Sequence, residues 1–305
     1  MSSQTDRLTL LATFVRIVER GSISAAARDL GLSQATVSRQ LKDLEDRFRS
    51  EFVRRTTHSL ALTPSGEALL ADARRLLGEW EVLAERHASG QDRVAGLLKI
   101  VAPVGIGQSW LAEIMLRFQR THPDVAITWD LDDAPIRFAE IGCDCWIKVG
   151  PIQDDSLIVR PLARVERMVA ASPRLLAGQS ASSPGDLSHM PCVALSPFEG
   201  GKIALSDHTG RQETITPPVA LATNNIVALR QAVRLGIGFA VLPRWFIEDD
   251  LTHGGLIDAL PGWRATTLTI HAGYLPSRHQ PLRLRLFLDH LIKDITDVPG
   301  LLDVA

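Results

Sequence analysis

SISAAARDLGLSQATVSRQLKDLEDRF, residues 22–48, is the stretch on which the fold turns. Ile23 to Leu30 is an alanine-rich run that Ser22 can cap and Gly31 breaks. Ser33 can cap a second run of about four turns that reaches Phe48. Two helices that cross steeply need a small residue where their axes approach, and Ala27 provides it. The turn between them needs a residue that tolerates positive φ, and Gly31 provides that. Val37, Leu41 and Leu44 recur at helical spacing opposite Gln34, Ser38 and Lys42. The spacing predicts a helix-turn-helix whose second helix buries one face and presents a polar one. A helical hairpin from an unrelated bundle would satisfy the same spacing.

The flanks extend the pattern. Upstream, residues 6–20 place Leu8, Leu11, Phe14, Val15 and Val18 on one face of a helix that Gly21 ends. Downstream, residues 51–63 read as two short strands around a polar turn at Thr57–Ser59. Thr63-Pro64 opens a helix to about Ser89, with proline in the first turn, where its missing N–H costs nothing. Leu69, Ala73, Leu76, Trp80, Leu83 and His87 follow one another at steps of four and three, a coiled-coil seam that needs a partner. Ser89-Gly90 then releases the chain.

From Leu97 onward, apolar strand-like runs alternate with amphipathic stretches. Residues 97–104, 125–131, 143–149, 167–172, 192–197 and 239–243 read as strands, and 108–121, 225–236 and 281–293 as helices. Such alternation implies an α/β fold with a mainly parallel sheet covered by helices. Gly105-x-Gly107 is either a tight strand-to-helix turn or, with Ser109, a receiver for a carboxylate or other acceptor.

Charge is distributed unevenly. Residues 1–60 hold ten Lys and Arg against seven acids, a surplus of three, whereas the whole chain carries −2, leaving −5 beyond residue 60. A basic head on an acidic body suits phosphate neutralisation. The N-terminus lacks the basic and apolar pattern of an export signal, and no apolar run approaches the ~20 residues of a membrane span, so a cytoplasmic protein is expected. Cys143, Cys145 and Cys192 cannot all pair. Cys143-x-Cys145 is a redox switch or, as same-side residues of a strand, core packing. No H-E-x-x-H, G-x-S-x-G or Walker loop is present, and the nine histidines, His253 and His271 among them, lack metal-ligand spacing. Neither catalysis nor a metal or cofactor is expected. The alternative is an enzyme or solute-binding protein with an appended DNA-binding head.

The segment as a whole resembles the N-terminal region of LysR-type transcriptional regulators. Ser24-Ala25-Ala26-Ala27, Leu30, Ser33-Gln34, Val37-Ser38, Gln40, Leu44-Glu45, Arg55-Thr56-Thr57, Leu62-Thr63 and Gly66 match that family's pattern, and 147–150, 171–176 and 236–243 continue the match. Three positions depart from it: Arg49 replaces a usual glycine, Phe52-Val53 replace Leu-Phe, and His58 stands where the wing often has arginine. The resemblance implies a winged helix-turn-helix over residues 1–62, a linker dimerisation helix over 63–90, and a two-lobed effector domain over 91–305 that resembles a periplasmic binding protein. Lobe I would comprise 91–162 with 268–305, and lobe II 163–267.

The resemblance also assigns residues. Gln34, Thr36, Ser38, Arg39 and Lys42 would face the major groove, Ser33 would cap their helix or meet a phosphate, and Arg55, Thr57 and His58 would serve the wing. Lys42 and Arg55 are equally readable as solvated charges. Pro103, Val104, Gly105, Ser109 and Lys148 from one lobe, and Ser196, Phe198, Thr223 and Asn224 from the other, would line an effector cleft, with Phe198 and Phe239 packing on an apolar part of the ligand. The partners implied are double-stranded DNA, a small-molecule effector, further copies of the chain in a dimer or tetramer, and RNA polymerase if the protein activates.

Overall fold

The computed structural model describes residues 6–55, 60–87, 94–134, 136, 138–176, 181–196, 201–277 and 280–304. They form two compact units: Met1–Val94 with Pro135–Asp144 and Pro276–Arg285, and Ala95–Ala134 with Cys145–Leu275 and Leu286–Ala305.

The first unit begins with α1 (Arg7–Arg20), α2 (Ile23–Leu30) and α3 (Gln34–Phe48). The antiparallel strands β1 (Val53–Arg55) and β2 (Leu60–Leu62) follow, then the 24-residue helix α4 (Pro64–His87). Local chemistry sets the helix ends. Ser22 Oγ accepts the Ala25 N–H at 3.4 Å, and Ser33 Oγ accepts the Thr36 N–H at 3.1 Å, each satisfying a donor that the first turn leaves over. Gly31, at φ +63°, ends α2, and the Leu32 N–H returns to Ala27 O at 2.9 Å. α1 is buried on more than the expected face. Leu10, Phe14 and Ile17 are wholly inaccessible, while Leu8 and Val18 are half-buried, because α4 packs on α1 in addition to α2 and α3.

Val37, Leu41 and Leu44 enter this core as expected, joined by Phe52, Leu70 and Ala73. The expected seam on α4 therefore divides. Ala73 belongs to the core of the head and Leu69 packs against it, whereas Leu76, Trp80 and Leu83 are 42, 53 and 45% exposed. Arg74, on the same helix, reaches Glu19 of α1 at 3.8 Å, and its guanidinium fills the space where a Cβ on Gly142 would stand, 2.3 Å away.

The second unit is built on a ten-stranded sheet. β3 (Gly96–Ala102), β4 (Val125–Leu131) and β5 (Cys145–Val149) are parallel, with β3 in the middle. The short α5 (Val104–Gly107) and α6 (Trp110–Thr121) lie between β3 and β4. Next come β6 (Ile158–Ala171), β7 (Cys192–Leu195), β8 (Ile203–Asp207), β9 (Gln212–Ile215), β10 (Val219–Thr223), β11 (Ala240–Pro243), β12 (Ile257–Asp258), β13 (Trp263–Tyr274) and β14 (Leu301–Leu302). β7 and β10 form a separate parallel pair. The expected mainly parallel sheet is in fact mixed. β6 and β13 run side by side in opposite directions; β13 also pairs with β5 towards one end and β8 at the other, and β6 carries β11, β12 and β14 antiparallel. The two long strands β6 and β13 thus carry most of the antiparallel pairing of the sheet, and β3, β4 and β5 the parallel part. Cys143, Cys145 and Cys192 are all buried thiols; β5 begins at Cys145, so Cys143 lies ahead of the strand rather than on it.

Inside the head, Thr13 Oγ1 donates to Gln40 Oε1 at 2.7 Å, tying α1 to α3 with both residues buried. Thr13→Val should destabilise the head by about 1–3 kcal/mol, because it strands the Gln40 amide. Adding Gln40→Met should recover most of that loss. Urea denaturation of the single and double variants measures the difference, and a double variant no better than the single one contradicts it.

Candidate DNA-reading surface and effector cleft

α3 separates its two faces cleanly. Val37, Gln40, Leu41 and Leu44 are buried; Gln34, Arg39 and Lys42 are exposed, and Thr36 and Ser38 half-exposed. Ser33 is occupied as a cap, and its hydroxyl also meets that of Thr36 at 2.8 Å. Neither Arg39 nor Lys42 has a carboxylate partner among the described residues, whereas Arg16 and Arg20 reach Asp29 at 3.8 and 3.0 Å. Exposed cations without intramolecular partners are the groups that phosphates and base edges can engage. Of the wing residues, Arg55 has its backbone in β1, and Thr57 and His58 lie outside the described residues.

A network of polar contacts holds this surface to the linker helix. Glu45 Oε1, on the inner side of α3, accepts the N–H groups of Phe52 and Val53 at 2.9 and 3.4 Å. The Phe52 carbonyl accepts the Thr63 N–H at 3.1 Å. Thr63 Oγ1 donates to Glu51 O at 2.6 Å and accepts the Gly66 N–H at 3.0 Å, capping α4. Gly66 is glycine for a steric reason: a Cβ there would stand 2.1 Å from the Phe52 carbonyl oxygen.

In the second unit, Pro103 to Ser109 follow β3, Lys148 is the penultimate residue of β5, Ser196 follows β7 and Thr223 ends β10, with donors more committed than the sequence suggests. The Val104 N–H donates to Asp133 Oδ1 at 3.0 Å. Burial holds the Asp133 carboxyl above the ordinary aspartate range, an effect this hydrogen bond opposes and Asp132 reinforces. Ser109 Oγ donates to Gly105 O and Ile106 O at 2.8 and 3.0 Å, so its hydroxyl serves its own turn. Gly105 is buried under Ile226: an added Cβ would stand 2.5 Å from Ile226 Cγ2. Pro103 is half-buried.

Lys148 is half-buried on β5 with its ammonium 4.9 Å from the Trp146 ring centroid, and desolvation lowers its pKa below the usual lysine value. It has no carboxylate partner among the described residues. From the other lobe, Ser196 and Asn224 are exposed. Thr223 accepts the Asn225 N–H on its hydroxyl at 3.1 Å. Phe239 departs from expectation. It is fully inaccessible, packed with Cys192 and Val241 in a lobe core, because its backbone is locked between Pro191 O and the Val193 N–H. Phe198 lies outside the described residues.

Comparison with known proteins agrees with this architecture. Residues 8–67 match the family model described as bacterial regulatory helix-turn-helix protein, lysR family, and residues 91–295 match the LysR substrate binding domain. The chain belongs to the LysR family of transcription regulators. The HTH-type transcriptional regulator PtxR of Pseudomonas aeruginosa is 29% identical over 285 residues, covering 93% of this chain and 91% of PtxR. The full-length structure of AphB, a virulence activator of Vibrio cholerae, superposes with a TM-score of 0.60 at 25% identity over 94% of this chain and 99% of that one. ArgP from Mycobacterium tuberculosis, at 19% identity and a TM-score of 0.71, covers 99% of this chain and 100% of its own and shares the fold.

This LysR-family regulator relies on residues that sequence reasoning passed over. Glu45 was legible as a motif residue but not as the clamp on β1, since its two acceptor contacts lie seven and eight residues downstream. Asn225, rather than its neighbour Asn224, caps helix Ile226–Arg234 by accepting the Val227 and Ala228 N–H groups at 3.0 Å each. Among the described residues no group of three or more His, Cys, Asp or Glu could hold a metal, and no helix is long and apolar enough to cross a membrane.

Gly66→Ala should destabilise the head by about 1–3 kcal/mol through overpacking against a backbone carbonyl. It should also weaken DNA binding by displacing the wing. Denaturant melts and DNA titrations of the purified variant measure both; unchanged stability would mean that the carbonyl yields without cost.

Proposed function

We propose that the regulator reads DNA through the exposed side of α3, with Gln34, Thr36, Ser38, Arg39 and Lys42 in the major groove, Ser33 at the helix N-terminus and Arg55, Thr57 and His58 on the wing. The observation that carries this reading is the solvent-exposed polar face of α3, whose two cations lack internal partners, opposite a buried face that anchors it. The proposal keeps the domain bounds that the family resemblance implies: 1–62, 63–90, and 91–305 with lobe I at 91–162 and 268–305 and lobe II at 163–267. Leu76, Trp80 and Leu83 pair two copies through α4, and the two heads read half-sites related by the dimer axis. Further association into tetramers and contact with RNA polymerase at activated promoters complete the partner set, in the cytoplasm and without catalysis. Arg39→Ala should weaken operator binding by about 1–3 kcal/mol and relax preference at one base pair. A gel-shift titration with equal affinity and selectivity for variant and wild type removes Arg39 from the reading set.

The effector enters between the lobes at the strand ends, near Pro103–Ser109, Lys148, Ser196, Phe198, Thr223 and Asn224. Lys148, desolvated and without an internal counter-charge, favours an anionic group there. Effector binding acts by favouring one of two arrangements of the paired heads, which requires different affinity for each. The lowered lysine pKa sets a sign: the ammonium is lost at a lower pH than for an ordinary lysine. Thermal stabilisation by small carboxylates should therefore decline as pH rises, before unperturbed lysines titrate. It should vanish in Lys148→Met and persist in Lys148→Arg. A stabilisation equal in Lys148→Met and wild type would exclude Lys148 as the anion partner.

A further inference from the structure

α2 and α3 end in the same backbone motif. At the end of α2 the Leu32 N–H reaches Ala27 O and the Gly31 N–H reaches Arg28 O; at the end of α3 the Ser50 N–H reaches Glu45 O and the Arg49 N–H reaches Asp46 O. The residue at the corner must be left-handed. α2 uses Gly31 at φ +63°, and α1 likewise ends at Gly21, at φ +60°. A Cβ at either glycine would meet nothing within 4 Å, so glycine stands there for φ alone. α3 uses Arg49, at φ +52° and ψ +41°. It is the only non-glycine residue with positive φ among the described residues. A side chain at such a corner costs roughly a factor of ten in the folding equilibrium. Glycine would relieve it.

Among the described residues no ion pair compensates. Arg49 is exposed, and it has no carboxylate partner among the described residues although Asp46 and Glu51 line the same groove. That groove, of about 810 Å³, also contains Ser38, Arg39 and Lys42. Lys42 and Arg49 are two helical turns apart, roughly 10 Å along one side of α3. The three cations of the groove are thus left unpaired, while Arg16, Arg20 and Arg74 of the same unit all reach carboxylates. Strain held at an unpaired, exposed charge points to a contact made outside the free molecule.

We infer that Arg49 binds a DNA phosphate, extending the interface along the groove past Lys42 to the end of α3. The inference rests on α3 as the DNA-facing helix. A phosphate contact positions the head without reading sequence and makes its contribution through counterion release.

The test uses the full-length protein and a fluorescent duplex recovered by selection from random DNA with the wild type. Arg49→Gly should raise the thermal midpoint by roughly 2–8 °C. It should also weaken binding about threefold to tenfold, and lower the slope of log affinity against log salt by about one per head. Arg49→Lys should keep both the slope and the wild-type midpoint. A stabilising glycine with affinity and slope unchanged overturns the phosphate role, and a glycine that lowers the midpoint overturns the strain on which it is built. Arg39→Ala, run in parallel, separates the two levels: unchanged binding there overturns α3 as the reading helix, whereas loss there with no effect at Arg49 confines the failure to this residue.

Discussion

Phe52 fastens three elements at one point. Its N–H is held by Glu45 of α3 and its carbonyl by the Thr63 N–H at the start of α4. Its ring sits 5.7 Å from both Phe14 of α1 and Phe48 of α3. Both backbone polar groups are satisfied inside a core, so moving Phe52 would strand a donor and an acceptor together. The reading helix, the first wing strand and the linker helix therefore behave as one body. In a dimer joined through α4, any change in the angle between the two linker helices becomes a change in the spacing of two reading helices.

The parts of this fold that were legible in the sequence are those decided by local chemistry. Ser22, Ser33, Gly21 and Gly31 terminate helices because their preferences act within four residues. The stripe of Val37, Leu41 and Leu44 is visible because one helix buries one face. β6 and β13 were largely missed for the opposite reason. Only residues 167–172 of β6 read as a strand, since its first half carries Arg160, Pro161 and Arg164 and is mostly exposed. β13 shifts register near Ala265–Leu268 and at Ile270–His271, which breaks the alternation by which a strand is recognised. The heptad spacing on α4 is visible in sequence, but its first steps, Leu69 and Ala73, serve the head, and sequence spacing does not say against what a seam packs.

At the candidate sites legibility was lower, because function there depends on which groups are already taken. Val104, Ser109 and Thr223 all carry polar groups that look available in sequence, yet each is engaged within the second unit. Phe239 looks like a cleft aromatic and is instead locked in a core by the hydrogen bonds of its own backbone. Arg49 was visible as a departure from family pattern. That it occupies a left-handed corner could be learned only from the backbone.

Lys148 and Arg49 share a physical signature despite lying in different units. Each is a positive group without a carboxylate partner among the described residues, one with a desolvated ammonium and the other on a strained backbone. Local preferences elsewhere agree with the fold: Ser22, Ser33, Thr63 and Asn225 cap their helices, Val37, Leu41 and Leu44 make an apolar stripe, and Asp250 in helix Arg244–Thr252 is met by Arg230 and Arg234. A chain that satisfies these rules so widely tolerates an exception where something outside it restores the balance. Phosphate at one exception and an anionic effector at the other would each supply the missing charge. Within the head, the contacts of Phe52 with its three neighbours tie the end of α3 that carries Arg49 to the start of α4, so a phosphate bound there acts on both helices together.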